Sequence, residues 1–205
     1  MYLSDKDRHY LRVKGWKTIF QASGSKTQAA EAILISNKIN FQPKVIKKVK
    51  EGHFILVKEK FYQDELSILN IYAPNTRAPT FIKKTLLKLK AHIALHIITV
   101  GDFNTSLSVM DRLWKQTKQR HSETNRSYEP KDLTSIYSTF YPKTNGYTVF
   151  SALHSTFSKT DYIMSHKTIL NRYKKIEIIS CILSDHHRPR LVFNNNKNNR
   201  KSTYT

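Results

Sequence analysis

The stretch Ile97–Thr105 reads Ile-Ile-Thr-Val-Gly-Asp-Phe-Asn-Thr and decides how the rest of the sequence is interpreted. Its apolar run ends abruptly in a glycine, an acid, an aromatic residue and an amide. This order is typical of a buried strand that delivers polar groups to the mouth of a pocket, a common place for chemistry in layered α/β proteins. A plain turn also explains the stretch on its own, so a catalytic interpretation depends on partners elsewhere in the chain.

Two further acids, Asp161 and Asp185, lie at the ends of apolar segments. In a basic protein, carboxylates in such positions predict a divalent cation, because Mg²⁺ prefers carboxylate and water oxygens. The same ion would neutralise a phosphate and stabilise the charge that develops on it during cleavage. His186 follows Asp185 and could hydrogen-bond a phosphate oxygen, with Asp161 as the carboxylate that orients it. Singly, Asp161 reads as a turn or cap and His186 as a surface histidine, and only the combination favours a site.

The charge of the chain indicates a polyanionic partner. Its 205 residues include 35 Lys and Arg against 15 Asp and Glu, which gives a net charge of +20. This excess is greater than solubility requires and favours nucleic acid first and an anionic membrane second. The single cysteine, Cys181, excludes a disulfide framework and a cysteine zinc site. No apolar run approaches the roughly 18 residues of a membrane span, so we expect a soluble protein of the nucleus or cytoplasm.

Strands outnumber helices in the pattern of apolar residues. Extended segments are predicted at Trp16–Phe20, Ala32–Ile35, Val45–Val49, His53–Val57, Leu66–Tyr72, Tyr147–Phe150, Tyr162–Met164 and Ile176–Leu183. Pro79 suits the first turn of an amphipathic helix, and Ser165 is predicted to cap another helix that ends near Tyr173. The pattern predicts two packed sheets with helices outside, in one domain over residues 1–193 that a disordered basic tail follows over 194–205.

Seven motifs follow one another along the chain. They are Val13–Trp16 (VKGW), Glu51–His53 (EGH), Leu69–Thr76 (LNIYAPNT), Gly101–Thr105 (GDFNT), Tyr147–Ser151 (YTVFS), Ser158–Asp161 (SKTD) and Leu183–His186 (LSDH). Together they resemble the endonuclease/exonuclease/phosphatase superfamily, which includes exonuclease III, apurinic endonucleases and deoxyribonuclease I. The resemblance is greatest to the endonuclease domain of the mammalian long interspersed element retrotransposon open reading frame 2 protein, and it extends to about residue 193.

This resemblance implies a four-layer α/β/β/α sandwich of two packed mixed sheets with the site at one rim. It also implies that the protein nicks DNA in a reaction that depends on Mg²⁺, with Mn²⁺ as the alternative cation. Position by position, Asp102 would orient and activate the attacking water, and Asn104 would contact the scissile phosphate. Asp161 and His186 would form the orienting dyad and stabilise the oxyanion, while Asp185 would help to hold the metal or its water shell.

The resemblance implies further contacts with the substrate. Tyr72 would contact the phosphate, Asn75 would bind DNA, and Thr148 and Ser184 would contact the DNA or support their neighbours. The implied partner is DNA, with no membrane and no small-molecule cofactor, and we expect a monomer.

The sequence departs from the superfamily in three places. The superfamily begins with a strand bearing a catalytic Asn, a helix, and a strand that ends in a metal-binding Glu, and no counterpart of this Glu is found. The family has Gly-Val where this chain has Ala30-Glu31. A carboxylate beside a buried strand costs free energy unless it is paired, so Glu31 is interpreted either as a strand-end residue or as damage to the strand. Beyond His186, residues 187–190 replace an apolar run, and Pro189 removes a ladder hydrogen bond. The missing Glu predicts activity lower by orders of magnitude.

Three functions are therefore considered. The first is a metal-dependent endonuclease of the retrotransposon type with impaired activity. The second is an inactive relic of that domain that binds nucleic acid non-specifically. The third is a relative that hydrolyses phosphoinositides or sphingomyelin, which ranks last because the motifs match the nuclease branch and no membrane-binding apolar surface is readable.

Overall fold

A computed structural model describes residues 13–23, 30–40, 42–48, 52–61, 64–93, 96–105, 133–144, 146–151, 156–182 and 184–194. These residues form twelve strands and two α-helices. The strands are β1 Trp16–Ser23, β2 Ala30–Ser36, β3 Val45–Lys48, β4 Phe54–Phe61, β5 Asp64–Ile71, β6 His96–Asp102, β7 Leu133–Ser135, β8 Val149–Ser151, β9 Thr156–Ser158, β10 Asp161–His166, β11 Tyr173–Ile179 and β12 Arg188–Phe193. The helices are α1 Ala78–Leu89 and α2 Ile136–Phe140. The predicted tail, apart from Asn194, lies outside the described residues.

Six of the strands form a central mixed sheet in the order β3-β4-β5-β6-β10-β7. β5 and β6 run parallel to each other, and the chain between them forms α1. The other neighbours in this sheet are antiparallel. Within the described part of the chain, β1–β2, β8–β9 and β11–β12 make three further antiparallel pairs. The predicted α/β class, with a large mixed sheet and additional sheets, is confirmed.

Side chains alternate between the two faces of the central sheet, and each face is covered. Leu56 of β4 packs in one cluster with Ile82 of α1, whereas its neighbours Ile55 and Val57 pack with Ala22 of β1. A third cluster joins strands of the central sheet to β11; its members include Ile98, Ile163, Tyr173 and Ile176. The helix therefore lies on one face, and the two-stranded sheets β1–β2 and β11–β12 lie on the other.

The region around Ser165 differs from the sequence-based prediction. Ser165 lies inside β10 and is fully buried, and the helix after it is a 3₁₀ helix, Lys167–Arg172, without a side-chain cap. The predicted Ser165 cap is therefore wrong, because the strand continues through the position where the cap was expected. Pro189 lies opposite Ile178 in the β11–β12 pair, so the strand continues through a residue that has no N–H to donate to the ladder.

None of the helices in the described ranges combines the length and the apolar character needed to cross a membrane.

Candidate active site at the ends of β6 and β10

Two carboxylates face each other where β6 ends and β10 begins. Asp102 is the last residue of β6, Asp161 is the first of β10, and the two are register partners in the antiparallel ladder. In β10 the buried run begins directly after Asp161, and in β6 it lies at 97–99, three to five residues before Asp102, so both strands anchor their carboxylates at the edge of the sheet. The backbone N–H of Phe103 then donates to the carbonyl of Thr160 at 2.8 Å and extends the pairing by one step.

The turn that carries Asp102 is tightly held. Gly101 has a φ of +129°, and a Cβ at this position would lie 2.0 Å from the carbonyl oxygen of Ile71, so only glycine fits. Phe103 is fully buried. Asn104 adopts a left-handed φ of 47° and donates its backbone N–H to Asp102 Oδ1 at 2.9 Å, while its side-chain Nδ2 donates to the carbonyl of Ala73 at 2.7 Å. Asn104 therefore fixes one oxygen of the Asp102 carboxylate.

His186 reaches the same edge from the other side. Its Nδ1 lies 2.9 Å from Oδ2 of Asp161, and the two residues are 25 positions apart in the sequence. An isolated bridge between His186 and Val149 of β8 holds the backbone, and the N–H of His187 donates to the carbonyl of Thr148 at 2.6 Å. This geometry forms the predicted His–carboxylate pair, while the contact of His186 with a substrate stays a prediction.

Thr148 organises the start of β10 from a fully buried position. Its hydroxyl oxygen accepts the backbone N–H groups of Thr160 and Asp161, both at 3.1 Å. Of the two roles that the sequence suggested for Thr148, these contacts correspond to the support of neighbours. They set the direction in which the Asp161 side chain leaves the strand.

The surroundings raise the pKa values of both members of the pair. Burial is the largest effect on Asp161 and raises its pKa, with a contribution in the same direction from the charge of Asp102, and His186 opposes both. Burial lowers the pKa of His186, but the charge and hydrogen bond of Asp161, together with the charges of Asp102 and Asp185, outweigh it and leave the pKa raised. The pair therefore retains a proton to a higher pH than the separate groups would.

Asp102, Asp161 and His186 also form a group that could hold a metal ion. One ligand atom from each of the three lies within 4.8 Å of those of the other two. The two carboxylates suit a hard divalent cation such as Mg²⁺ or Mn²⁺, because these ions prefer carboxylate and water oxygens, whereas the imidazole is bonded to Asp161. The carboxylates therefore fit the predicted cofactor. Asp185 is not a member of this group; its carboxylate Oδ1 accepts from the Ser184 hydroxyl at 3.4 Å, and its role as a metal ligand stays a prediction.

The remaining predicted residues are Tyr72, Asn75 and Ser184. Tyr72 follows β5 and is half-buried, with its ring stacked on that of His53 at a centroid distance of 6.3 Å. Asn75 and Ser184 are exposed, and the Ser184 hydroxyl accepts the backbone N–H of His186 at 3.1 Å. Ser184 thus supports the segment that carries His186, while the DNA contacts of Tyr72, Asn75 and Ser184 stay predictions.

The sequence interpretation did not place Glu31 in the site. Glu31 is the second residue of β2, and its Oε2 accepts a hydrogen bond from Nδ2 of Asn70 near the end of β5. It lies close enough to Asp102 for the charge of Asp102 to raise its pKa. Glu31 is therefore a paired strand-end residue, the first of its two interpretations. The available signal was a carboxylate at one end of an apolar strand, the same kind of signal that identified Asp102.

Comparison with known proteins gives the fold a name. No protein-family model matches the sequence. The AP endonuclease LMAP of Leishmania major is similar in structure, with a TM-score of 0.67 and 11% identity over 93% of this chain and 74% of that one. The 3′ phosphatase NExo of Neisseria, bound to a product DNA hairpin, has a TM-score of 0.62 and 16% identity over 88% of this chain and 80% of NExo. The endonuclease domain of TRAS1, a telomere-specific non-LTR retrotransposon, has a TM-score of 0.61 and 11% identity over 90% of this chain and 83% of the domain. These similarities confirm that the chain has the fold of the endonuclease/exonuclease/phosphatase superfamily.

Proposed function

We propose that this chain is a metal-dependent DNA phosphodiester hydrolase, an endonuclease domain of retrotransposon origin with low activity. The observation that carries the proposal is the meeting of Asp102, Asp161 and His186 at one edge of the central sheet, with the Asp161–His186 bond at 2.9 Å. A purely structural role does not explain why these residues meet, because two neighbouring carboxylates each make the ionisation of the other less favourable. A bound cation and a phosphate would make the arrangement favourable.

In this mechanism the two carboxylates have separate tasks. Asp102, held by the N–H of Asn104, orients a water and accepts its proton as the water oxygen bonds to phosphorus. The bond from phosphorus to the leaving sugar oxygen breaks in the same displacement. Asp161 keeps His186 protonated, so that the imidazolium donates to a non-bridging phosphate oxygen as negative charge develops on it. Tyr72, which directly follows β5, contacts the phosphate.

A divalent cation would be held by the carboxylates at this edge. Mg²⁺ is the first candidate and Mn²⁺ the second, because both prefer carboxylate and water oxygens. When bound, the cation supplies positive charge that neutralises the phosphate. We place Asp185 near its water shell, as the resemblance implies.

Two independent features support DNA as the substrate. The net charge of +20 favours a polyanion, and the similar NExo structure contains a product DNA hairpin. Retrotransposon origin is supported by the motifs and by the similarity to the TRAS1 endonuclease domain. Asn75 and Ser184 are exposed and are the residues that we assign to DNA contact.

Nicking of supercoiled plasmid tests the proposal. We expect slow, Mg²⁺-dependent conversion to the open circle, and a rate about 100-fold lower in Asp102→Asn and in His186→Ala, since each removes a group that acts in the transition state. Glu65→Gln is the control, because Glu65 is an exposed acid of β5 that is bonded to Lys44. Equal rates in all four proteins would assign the nicking to a contaminating nuclease and refute the proposal.

The inactive relic remains the second candidate, and the net charge of +20 is the observation that favours it. A relic would bind plasmid DNA with an affinity that falls steeply with salt, yet would leave it intact in Mg²⁺ and in Mn²⁺. Binding without nicking therefore selects the relic, whereas slow nicking that depends on Asp102 selects the enzyme.

A further inference from the structure

Glu31 lies at the same end of the sheets as the candidate site. Asn70, its partner, pairs with Val100 in the parallel β5–β6 ladder, two residues before Asp102. The next residue of β5, Ile71, has the carbonyl that packs against Gly101. Asn70 and Asp102 therefore belong to neighbouring strand ends in close contact, and Asn70 brings the Glu31 carboxyl towards Asp102.

The side chain of Asn70 contacts β2 at two neighbouring residues. Its Nδ2 donates to Glu31 Oε2 and is also within 3.4 Å of the carbonyl oxygen of Ala32. Because the amide engages Oε2, the orientation of the carboxyl group is set and Oε1 is left for a second contact. The carboxyl group of Glu31 is therefore held in one orientation and does not turn away from the strand.

Register places Asn70 and Asp102 on the same face of the central sheet. Asn70 is the partner of Val100 in the parallel β5–β6 ladder, and Asp102 lies two residues beyond Val100, so the three side chains share one face. Glu31, which is bonded to Asn70, is therefore held over the face from which Asp102 projects. Glu31 lies outside the three-residue group described above, so it would act on a cation from the Asp102 side.

We propose that Glu31 is a further acidic residue of the site, which helps Asp102 to hold the divalent cation, and that Asn70 is its positioning residue. The proposal rests on the proposed function, because it concerns the cation of the same site. It adds a ligand from β2, a strand that the resemblance associates with no metal contact.

The test is direct binding of Mn²⁺, followed by electron paramagnetic resonance of the free ion in titrations of metal-free protein. We expect Glu31→Gln to raise the Kd about tenfold relative to the wild type, since it removes a charged ligand but keeps an acceptor for Asn70. Glu31→Val, which suits a strand better, should raise the Kd to the same extent. Asn70→Ser should raise it less, about threefold, because the carboxylate remains but is no longer held.

Glu65→Gln serves as the matched control. It removes one negative charge from β5, five residues before Asn70 and therefore about 17 Å along the strand, beyond one Debye length at physiological salt. Its Kd should stay within about twofold of the wild type. Circular dichroism and a melting curve confirm that each variant is folded before the titration.

The outcomes separate this inference from the proposed function. If the wild type binds no Mn²⁺, the metal-dependent function fails and the role of Glu31 fails with it. If the wild type binds Mn²⁺ and Asp102→Asn weakens it, while both Glu31 variants match the wild type, only the role of Glu31 is refuted. A Kd that rises in the Glu31 variants and not in Glu65→Gln supports it.

Discussion

Asp102 and His186 stand at opposite sides of the candidate site, and the protein holds them in different ways. Asp102 ends a strand of the central sheet, beside the fully buried Phe103 and the tight contact between Gly101 and Ile71. The side chain of His186 is 37% exposed and lies on a segment outside the central sheet, which is tied to β8 by a bridge and to Asp161 by one hydrogen bond. One side of the site is thus an extension of the core, and the other is attached to its rim.

This difference predicts that variants on the core side affect stability, whereas variants on the rim side affect the reaction. Changes on the core side should lower the free energy of unfolding, because they disturb backbone packing in the central sheet. Changes on the rim side should leave the fold intact and act on the reaction. Variants along the path from Gly101 through Thr148 to His186 therefore measure how far the core extends into the site.

The largest loss of stability is expected for Gly101→Ala. Its Cβ would lie 2.0 Å from the backbone carbonyl oxygen of Ile71, and its φ of +129° is unfavourable for alanine, so β5 and β6 would have to separate. We expect the free energy of unfolding in urea to fall by about 4 kcal/mol, or the protein not to fold.

Gly15→Ala is the control for this variant. Gly15 also has a positive φ, +89°, but a Cβ there would meet nothing within 4 Å. It should lose about 1 kcal/mol, from backbone conformation alone. Similar losses in the two variants would contradict the role given to the Gly101–Ile71 contact.

An intermediate effect is expected for Thr148→Val, which keeps the shape of a fully buried side chain. The variant leaves the N–H groups of Thr160 and Asp161 without their acceptor, so we expect a loss of about 2 kcal/mol in urea unfolding. Thr168→Val, at an exposed position of the 3₁₀ helix, should change stability by less than about 0.5 kcal/mol. If Thr148→Val were as stable as the wild type, the start of β10 would not depend on this hydroxyl.

The sequence predicts the strand ends better than the contacts between them. Asp102 and Asp161 each adjoin an apolar run, and period and burial are enough to place them at an edge. The bond between Glu31 and Asn70 joins residues 39 positions apart, and no local pattern encodes it. The sequence therefore left open whether Glu31 is a strand-end residue or damage, and only the fold shows that it is paired.

Local propensity also misjudged the boundary at Ser165 for the same reason. Ser165 is a good helix cap by type, but the register of β10 with β6 and β7 keeps it in the sheet. Long-range pairing likewise forms β12 around Pro189, since β12 pairs with β11 along six register positions. A single sequence reports such pairing only through resemblance to a known fold.

The smallest change in stability is expected for His186→Gln, and its pH dependence has a definite sign. Because the folded protein raises the pKa of His186, the protonated form contributes stability that is fully present below the unfolded value of about 6.5. That contribution is lost as the pH rises through the folded pKa. Since the side chain is 37% exposed, solvent screening limits the contribution to less than about 1 kcal/mol.

Urea unfolding of wild type and His186→Gln between pH 5.5 and 9 measures this contribution in metal-free protein. The wild type should be the more stable protein at pH 5.5, and the difference should vanish towards pH 9. His92→Gln is the control, because it makes the same substitution outside the site, in the 3₁₀ helix Lys90–His92 that follows α1. A difference that grows with pH would mean that His186 is held as the neutral imidazole. In that case the rim could not supply a proton donor to the phosphate, and the division of tasks between Asp102 and His186 would be wrong.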